Sequence, residues 1–417
     1  MSTVDQTVES LDAFGARARA WIDANLPRSD DPVSLDDRTL QNRLFDAGFA
    51  GIAFPREYGG AGLTFEQQKV FFAHAAGHQV PSGYGVSIGM LGATLLDHGS
   101  DELKQVHLPR ILRGDERWIQ LLSEPSGGSD MAGALTRLTR DGDTYVLNGS
   151  KMWSSGALHS DYGMCLARTD WDAPKHRGLS MIAVPLKGTP GLTIDAIRQV
   201  TGAPGEFCLE FFDDVALPAA NLVGKENEGW AVAQTLLFHE RNATAGIAHG
   251  YGVMVEGSST RDDYRYQLEG ARRRGLGADP VVRQHIATSY IEQTVARCAG
   301  LRVMTGMRTG ALQGQWGSLL KLHLGANSPQ SAKRALAAWG PDGVIWDGDE
   351  TIGQTAGEQF LGSRGISIAG GSNEMQRNIV TERLMGLPRE PSFDRDLPFS
   401  EVQRNRGKFG AGARRSP

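Results

Sequence analysis

Hydrophobic and polar positions divide the chain into three stretches with different periodicities. Up to about residue 115, apolar residues recur at helical spacing in segments such as LDAFGARARAWIDANL, and Gly- and Pro-containing connectors such as PREYGGAGLT separate these segments. From about 119 to 225 the apolar runs shorten to strand length, and from Gly229 to about Leu387 long amphipathic helical patterns return. The sequence therefore predicts helices, then strands, then helices again.

Two turn dipeptides divide the β stretch. Asp141-Gly142 and Asn148-Gly149 separate the short runs TRLTR, DTYVL and SKMW, and both dipeptides are typical of tight hairpin turns. We therefore expect a three-stranded meander in this part of the chain.

Changes in the pattern also set the expected domain limits. Beyond Pro388 the sequence contains several Pro residues and becomes basic at its end, which predicts a poorly packed tail. The predicted parts are an N-terminal helical domain, a middle β domain, a C-terminal helical bundle and the tail, with the limits 1–117, 118–227, 228–388 and 389–417.

The composition is that of an ordinary globular protein. Of 417 residues, 40% are hydrophobic, and 43 basic against 48 acidic side chains leave a formal charge of −5, so no nucleic-acid-binding surface is predicted. No apolar run reaches the roughly 18 residues of a membrane span, and the N-terminus lacks the pattern of a secretory signal. The three Cys are far apart and form no CxxC pair, which predicts no metal site and favours a reducing cytoplasm.

One short motif points to a different chemistry. Gly85–Gly89 fits the G-x-S-x-G elbow of serine hydrolases, but a Pro and two Gly precede it where an elbow requires an apolar strand. We interpret the segment as a helix packed through small residues, and the hydrolase is the last of the alternatives. No G-x-G-x-x-G turn follows a strand and no GxxxxGK[ST] occurs, so a nucleotide cofactor would bind in another way.

Three further segments have residues suited to a ligand with phosphate groups or a flat ring. LLSEPSGGSD (121–130) places small residues and hydroxyls in a turn, where backbone N–H groups can approach a phosphate closely. NGSKMWSSGA (148–157) places a Trp and a hydroxyl pair at the end of a strand, although a lone Trp in a strand is more often part of a core. AGGSNEMQR (369–377) is a Gly turn that enters a helix, whose N-terminus favours negative charge.

In this order and spacing, these segments resemble the acyl-CoA dehydrogenase family of flavoproteins. The likeness covers about residues 40 to 388 and includes HGSDELKQVHLPRILRGD, FFDDVALPAANLVG, GWAVAQTLLFHER and GGSNEMQRNIVTERLMGLPR. The resemblance implies an α+β fold with an N-terminal helical domain, a middle β-barrel or β-sandwich domain and a C-terminal four-helix bundle. It also implies FAD as the cofactor.

The resemblance implies roles for individual residues of the first two segments. Ser123 would donate to the pyrimidine edge of the flavin, and Gly128 and Ser129 would meet the pyrophosphate, Ser129 also touching the CoA chain. Trp153 would lie against the isoalloxazine ring. Ser155 stands where the family usually has a Thr that hydrogen-bonds near flavin N5.

Further FAD contacts are implied in the C-terminal part. Arg273 and Gln284 align with family residues that hold the FAD diphosphate and adenosine from the neighbouring subunit. Ser372 and Glu374 of the GGSNE turn match the remaining FAD contacts.

The chemistry of the family requires a base that takes the α proton of a thioester, and a carboxylate with a raised pKa suits that role. Many members carry a Glu in the C-terminal turn at the position of Gly370, which has no side chain to accept a proton. Glu240 is the alternative, because it falls on the apolar stripe of a predicted helix, where burial would raise the pKa of its carboxyl group. The stripe consists of Ala233, Leu236, Leu237, Ala243 and Ile247.

From the residues alone, Glu240 could instead be a structural carboxylate paired with Arg241 or His239. The resemblance favours catalysis, because isovaleryl-CoA and long-chain members carry their base at the position of this HER triplet and lack a Glu in the C-terminal turn. It implies that Glu240 is the base and that Arg241 helps to position the substrate. The backbone N–H of Gly370 would then polarise the thioester carbonyl.

The expected function is therefore FAD-dependent α,β-dehydrogenation of an acyl-CoA, with a branched or bulky acyl group because Ala369 and Gly370 leave room in the turn. The resemblance, which is to bacterial members, further implies lipid metabolism, an electron-transfer flavoprotein as electron acceptor, and a homo- or heterotetramer, or a dimer. Two alternatives on the same fold are a non-catalytic FAD-binding subunit of a heteromeric dehydrogenase and a flavin-dependent oxidase or hydroxylase.

Overall fold

The computed structural model describes residues 9–32, 34–202, 207–244, 264–312, 314–345, 353–392 and 394–402. The chain forms two compact units. The first consists of Met1–Ala196, Phe207–Glu256 and Phe393–Pro417, and the second of Ile197–Glu206 and Gly257–Ser392.

The first unit begins with five helices. They are α1 (Leu11–Asn25), α2 (Asp37–Asp46), α3 (Phe65–Ala75), α4 (Ala93–His98) and α5 (Asp101–Arg113). Side chains of Ser10, Asp36, Thr64 and Ser100 accept from backbone N–H groups in the first turns of α1, α2, α3 and α5, so each of these helices begins where its capping residue stands. Phe14, Phe49 and Phe71 lie in the apolar core of α1–α3.

Residues Ser87–Gly92 form a π-helical turn that leads into α4. This agrees with the helix expected here from the sequence instead of a hydrolase elbow. Ser87 is buried, its hydroxyl donates to the carbonyl of Trp118, and the backbone N–H of Trp118 donates back to the hydroxyl. This serine therefore joins the π-helical turn to the sheet. It is not placed as a hydrolase nucleophile, which must be exposed at a turn.

Eight strands form the sheet of the first unit. They are β1 (Trp118–Leu121), β2 (Arg137–Asp141), β3 (Thr144–Ser155), β4 (Tyr162–Arg168), β5 (Leu179–Pro185), β6 (Leu192–Ile197), β7 (Phe207–Pro218) and β8 (Leu222–Val223). Their order is β6-β7-β3-β2-β4-β5-β8, and β1 pairs in parallel with β4.

One of the two predicted turns is present and the other is wrong. A tight turn follows Asp141 as expected, with Gly142 and Asp143 joining β2 to β3. Asn148-Gly149 instead lies inside β3, where the register against β7 shifts between Leu147 and Gly149. The Asn148 side chain exchanges hydrogen bonds with Asp214 of β7, so the dipeptide forms an irregularity in a long paired strand.

The prediction of a poorly packed tail is wrong for residues 394–402. Phe399 is fully buried, and its ring lies 3.5 Å below the guanidinium carbon of the equally buried Arg168. Backbone N–H groups of Phe399 and Ser400 donate to Ala173 and Trp171. A single buried aromatic residue therefore anchors this segment, and such a signal is lost among the Pro and charged residues around it.

Helix α6 (Gly229–Thr244) belongs to the first unit. Val232, Ala233 and Leu236 on one face of α6 are buried in the same apolar cluster as Met164 of β4 and Met181 of β5. The helix that carries Glu240 therefore packs against the sheet.

The second unit is helical. Its helices are α7 (Tyr264–Arg273), α8 (Pro280–Arg308), α9 (Gly317–Trp339), α10 (Gln354–Ile366) and α11 (Asn373–Ile379). Trp339 at the end of α9 is buried together with Ala335 of the same helix and Ala356 of α10. Its indole N–H donates to the carbonyl of Tyr266. The predicted α+β class, with helices before and after a β domain, is confirmed.

Candidate active site

The loop after β1 is held in place by a buried carboxylate. Glu124 is 5% exposed, and its oxygens accept from Lys151 Nζ at 2.8 Å and from the backbone N–H groups of Leu135 and Thr136 at 2.7 and 2.9 Å. Burial acts to raise the pKa of Glu124, but the Lys151 charge and the hydrogen bonds outweigh it and hold the pKa below its usual value. Sequence reasoning missed this pair, although a Glu among small loop residues and a Lys in a strand were available signals.

The predicted residues Ser123 and Gly128 lie side by side in this loop. A Cβ built on Gly128 would approach the Ser123 hydroxyl oxygen to 3.1 Å, so a side chain there would crowd the hydroxyl. Ser129 follows and is exposed. The loop therefore presents open backbone beside a hydroxyl group, which is the arrangement expected for a phosphate or the edge of a ring.

Strand β3 places an aromatic ring next to the loop. The backbone N–H of Met152 donates to the carbonyl of Ser123 at 2.9 Å, and the register then shifts before Ser154. Trp153 occupies this bulge with φ of +71°, and its side chain is 53% exposed. The bulge makes Ser154 buried and leaves Trp153 and Ser155 exposed.

Five predicted cofactor residues therefore share one surface of the first unit, formed by the loop after β1 and the end of β3. We call it the loop–bulge surface. It consists of Ser123, Gly128, Ser129, Trp153 and Ser155.

A second buried carboxyl group lies beneath this surface. The Ser154 hydroxyl donates to Glu210 of β7, which is fully buried. Burial raises the pKa of Glu210 from 4.5 to about 7, although Ser154 and the charge of Lys151 act to lower it. Sequence reasoning did not single out Glu210, because in the run FCLEFF it reads as one polar position of an alternating strand.

The structure places Glu240 half-buried on α6, at the edge of the predicted stripe. Ala233, Leu236 and Ala243 of the stripe are buried and Leu237 is partly buried, whereas Ile247 lies outside the described residues. The side-chain amide of Gln120 on β1 donates to Glu240, with 3.4 Å between Nε2 and Oε2.

The two neighbours of Glu240 on the helix have separate environments. His239 is buried, and its Nε2 lies 2.8 Å from Oδ2 of Asp97 on α4. Burial lowers the pKa of Arg241, and the charge of Glu240 acts in the opposite direction. His239 therefore has Asp97 as an acidic partner, while Arg241 is electrostatically coupled to Glu240.

In the second unit, the predicted residues lie at the ends of helices. Arg273 ends α7, bonds Glu269 at 2.8 Å, and lies 5.5 Å from the ring centroid of Trp339. Gln284 is exposed as the fifth residue of α8, which Asp279 caps.

Ser372, Glu374 and Gly370 share one turn of the second unit. Gly370 and Gly371 have φ of +65° and +88°, a conformation that disfavours any side chain. The Ser372 hydroxyl accepts from the N–H of Met375 and caps α11, while Glu374 is exposed and pairs with Arg377 at 3.3 Å.

Comparison with known proteins shows similarity along most of the chain. Family models described as acyl-CoA dehydrogenase N-terminal, middle and C-terminal domains match residues 9–115, 120–215 and 227–385. The acyl-CoA dehydrogenase IpdE1 of Mycobacterium tuberculosis is 32% identical over 92% of this chain and 99% of its own. The cyclohexane-1-carbonyl-CoA dehydrogenase of Geobacter metallireducens is 29% identical over 84% of this chain and 90% of its own.

A solved structure described as the Tcur3481-Tcur3483 steroid ACAD superposes with a TM-score of 0.73 and 28% identity, covering 91% of this chain and 98% of that one. Within the part of the chain that the structure describes, no helix is long and apolar enough to cross a membrane.

Proposed function

Because the chain belongs to the acyl-CoA dehydrogenase family, whose members are flavin-dependent oxidoreductases, we propose that it removes one hydrogen from each of Cα and Cβ of an acyl-CoA that has a branched or bulky acyl group. FAD is the cofactor, Glu240 is the base, and the product is the 2,3-enoyl-CoA. The observation that carries this proposal is the contact between Gln120 and Glu240, since β1 leads from that contact directly into the loop–bulge surface.

The loop–bulge surface fits a flavin. Trp153 offers an exposed flat ring, and Ser123 offers a hydroxyl donor. Gly128 leaves this hydroxyl uncrowded, because a Cβ at that position would lie against it. Bound FAD would supply the acceptor for the hydride. Ser129 would extend the contact to the CoA chain, and Ser155 would hydrogen-bond at the reactive edge of the ring.

Glu240 would take the α proton. Its position at the edge of the buried face of α6 leaves the carboxylate partly accessible, which a base that meets substrate requires. Arg241 would help to hold the substrate, and the backbone N–H of Gly370 would donate to the thioester carbonyl as negative charge develops on its oxygen.

The small residues of the C-terminal turn support a bulky acyl group. Ala369 and Gly370 have little or no side chain, and the left-handed backbone at Gly370 resists larger residues. Two relatives point the same way, since their names specify a cyclohexane carbonyl group and a steroid.

Assembly and electron transfer complete the proposal. Arg273 and Gln284 would hold the FAD diphosphate and adenosine of a neighbouring subunit, and Ser372 and Glu374 would add further contacts. A tetramer is typical of the family, and an electron-transfer flavoprotein would accept the electrons.

Anaerobic titration of the purified flavoprotein with a panel of acyl-CoAs tests the function. We expect loss of the oxidised flavin absorption with branched, cyclic or steroid-derived thioesters, and much slower loss with straight short chains. Glu240→Gln should keep FAD and slow the bleaching by at least about 10²-fold, the usual scale of a lost general base. Glu66→Gln, which breaks an exposed ion pair with Lys69 on α3, is the matched control and should behave as the parent.

Two results would contradict the proposal. If the parent protein is purified from flavin-replete cells without bound flavin, every flavoenzyme function is excluded. Bleaching by Glu240→Gln at the parent's rate removes Glu240 as the base while leaving the reaction class in place.

A further inference from the structure

Gln120 is the residue through which the sheet reaches Glu240. Its Nε2 lies 3.4 Å from Oε2 of Glu240. Trp118, two residues earlier and on the same face of β1, belongs to the same apolar cluster as Val232 and Leu236 of α6. The face of β1 that carries Gln120 therefore packs against the helix that carries Glu240, and this packing brings the two side chains together.

The other polar atom of the Gln120 amide has no assigned role. Oε1 is buried and has no hydrogen-bond partner among the residues that the structure describes. A buried acceptor without a partner is costly, so its retention calls for a reason. A side-chain amide can donate through nitrogen and accept through oxygen, and turning it over by 180° exchanges the two atoms.

Both atoms are useful to a base that changes its protonation state. A carboxylate only accepts hydrogen bonds, whereas a carboxylic acid also donates one. Glu240 passes from the first form to the second when it takes a proton. A fixed donor such as Lys or Arg would suit only the first form, whereas an amide suits both.

We propose that Gln120 is a positioning residue for Glu240, a role that rests on the dehydrogenation proposed above. Its Nε2 donates to the carboxylate before proton transfer. The Cα–H bond of the substrate then breaks and an O–H bond forms on Glu240. The electron pair left at Cα becomes the second bond to Cβ as the β hydrogen leaves with its own electron pair, which bound FAD would accept. The turned amide afterwards accepts from the new O–H group.

The distance is compatible with this role. At 3.4 Å the contact is longer than the usual N–H···O range, but hydrogen bonds of catalytic groups often tighten only when substrate is in place. Gln120 also lies three residues before Ser123, so one short segment contacts both Glu240 and the proposed flavin surface.

Other ionisable groups around α6 stay unchanged when Gln120 is replaced. His239 and Arg241 flank Glu240 on the helix itself. The elements packed against α6 contribute Asp97 and His98 on α4, and Tyr162, Cys165 and Arg168 on β4, and the ring of His176 packs on Trp230 at the start of α6. The π-helical turn and β5 have no ionisable side chain in their sequences. A change in the pKa of the base on substitution of Gln120 therefore reports on the amide.

Three variants test the role in the FAD-loaded full-length protein. Gln120→Leu removes both hydrogen-bonding atoms at similar volume, and Gln120→Glu keeps a polar group but places a second carboxylate beside the base. Gln234→Leu makes the same apolar change on the exposed face of α6 and is the control. FAD content and melting temperature show that each variant is folded.

Two measurements are made over a range of pH. The first is exchange of the α hydrogens of 3,3-dimethylbutanoyl-CoA with D₂O, since its quaternary β carbon has no hydrogen to lose and the exchange reports on the base alone. The second is single-turnover flavin reduction by the best acyl-CoA of the panel. In Gln120→Leu we expect both rates near neutral pH to fall roughly tenfold and the pKa of the base to rise by about one unit, the scale of one charge-assisted hydrogen bond. Gln120→Glu should raise that pKa further by like-charge repulsion, and Gln234→Leu should match the parent.

The outcomes separate this role from the proposed function. If both Gln120 variants have the same rates and pH profiles as Gln234→Leu, the positioning role is overturned and the proposed function stands. A parent that neither exchanges α hydrogens nor bleaches with any acyl-CoA overturns the function and the role together. If Gln120→Leu does not retain FAD, the pH profile of Gln120→Glu tests the role instead. A raised pKa of the base supports the role, and a profile equal to that of the parent overturns it.

Discussion

At the scale of single residues, the site depends on buried carboxyl groups whose environments differ sharply. Glu124 has an ammonium partner and two backbone donors, so its charged form is stabilised. Glu210 is more deeply buried, and one of its oxygens, Oε2, has no hydrogen-bond partner in the described part of the chain. Its neutral form is therefore favoured up to near neutral pH.

Glu210 should make the stability of the protein depend on pH. The pKa of Glu210 is about 7 in the folded state, against the ordinary value of 4.5 that applies to the unfolded chain. The folded state therefore binds the proton more tightly than the unfolded state does. The stabilising contribution of Glu210 is complete below 4.5 and is lost as the pH rises through 7, by on the order of 3 kcal/mol. Glu210→Gln, which stays neutral, should therefore gain stability relative to the parent as the pH is raised.

Melting temperatures of both proteins between about pH 5 and pH 8 measure this difference. The exposed Glu66→Gln serves as the control and should track the parent throughout. A constant difference between Glu210→Gln and the parent across this range contradicts a proton held at Glu210.

At the scale of elements, the segment 394–402 supports residues 130–134, which follow the loop proposed to bind phosphate. The buried Arg168 guanidinium donates to the carbonyls of Ala132 and Ala134, and Phe399 covers its other side. Lys175 lies 2.9 Å from Asp130 and 3.4 Å from Asp394, which joins the same two segments a second time. The C-terminal segment is therefore part of the scaffold of the β domain.

Phe399→Ala should destabilise the first unit by about 3–5 kcal/mol, because it leaves a cavity at a fully buried position and removes the ring from the guanidinium. Hydrogen exchange should accelerate in residues 130–136, and the melting temperature should fall. Phe399→Leu keeps most of the apolar volume and should cost clearly less. Equal exchange in the parent and Phe399→Ala would show that the segment does not support the loop.

Sequence reasoning was accurate where one local rule decides the structure. The turn at Asp141-Gly142 was predictable because a two-residue connection, here Gly142 and Asp143, depends only on residues next to it in the sequence. Asn148-Gly149 has the same local signal, but pairing of β3 with β7 along its length overrides it. Gln120, Glu210 and Phe399 could not be found in this way, since their partners lie far away in the sequence.

At the scale of the whole molecule, the order of helical and β parts was predictable because the hydrophobic period changes at each boundary. The assignment of α6 to the unit that contains the sheet was not, because period alone does not say what a helix packs against. The residues proposed to hold FAD occur in both compact units.

FAD should stabilise the folded protein by mass action, because the surfaces proposed to bind it exist only in the native state. At an FAD concentration of about one hundred times Kd the gain is about 2.7 kcal/mol, so the melting temperature of the deflavinated protein should rise steadily with added FAD. Gly128→Val should keep the melting temperature of the deflavinated protein, since Gly128 is exposed, but should abolish the rise because its side chain crowds the Ser123 hydroxyl. Thr139→Val, an exposed change on β2, should keep the full rise. If Gly128→Val responds to FAD as strongly as Thr139→Val, the loop–bulge surface is not where the cofactor binds.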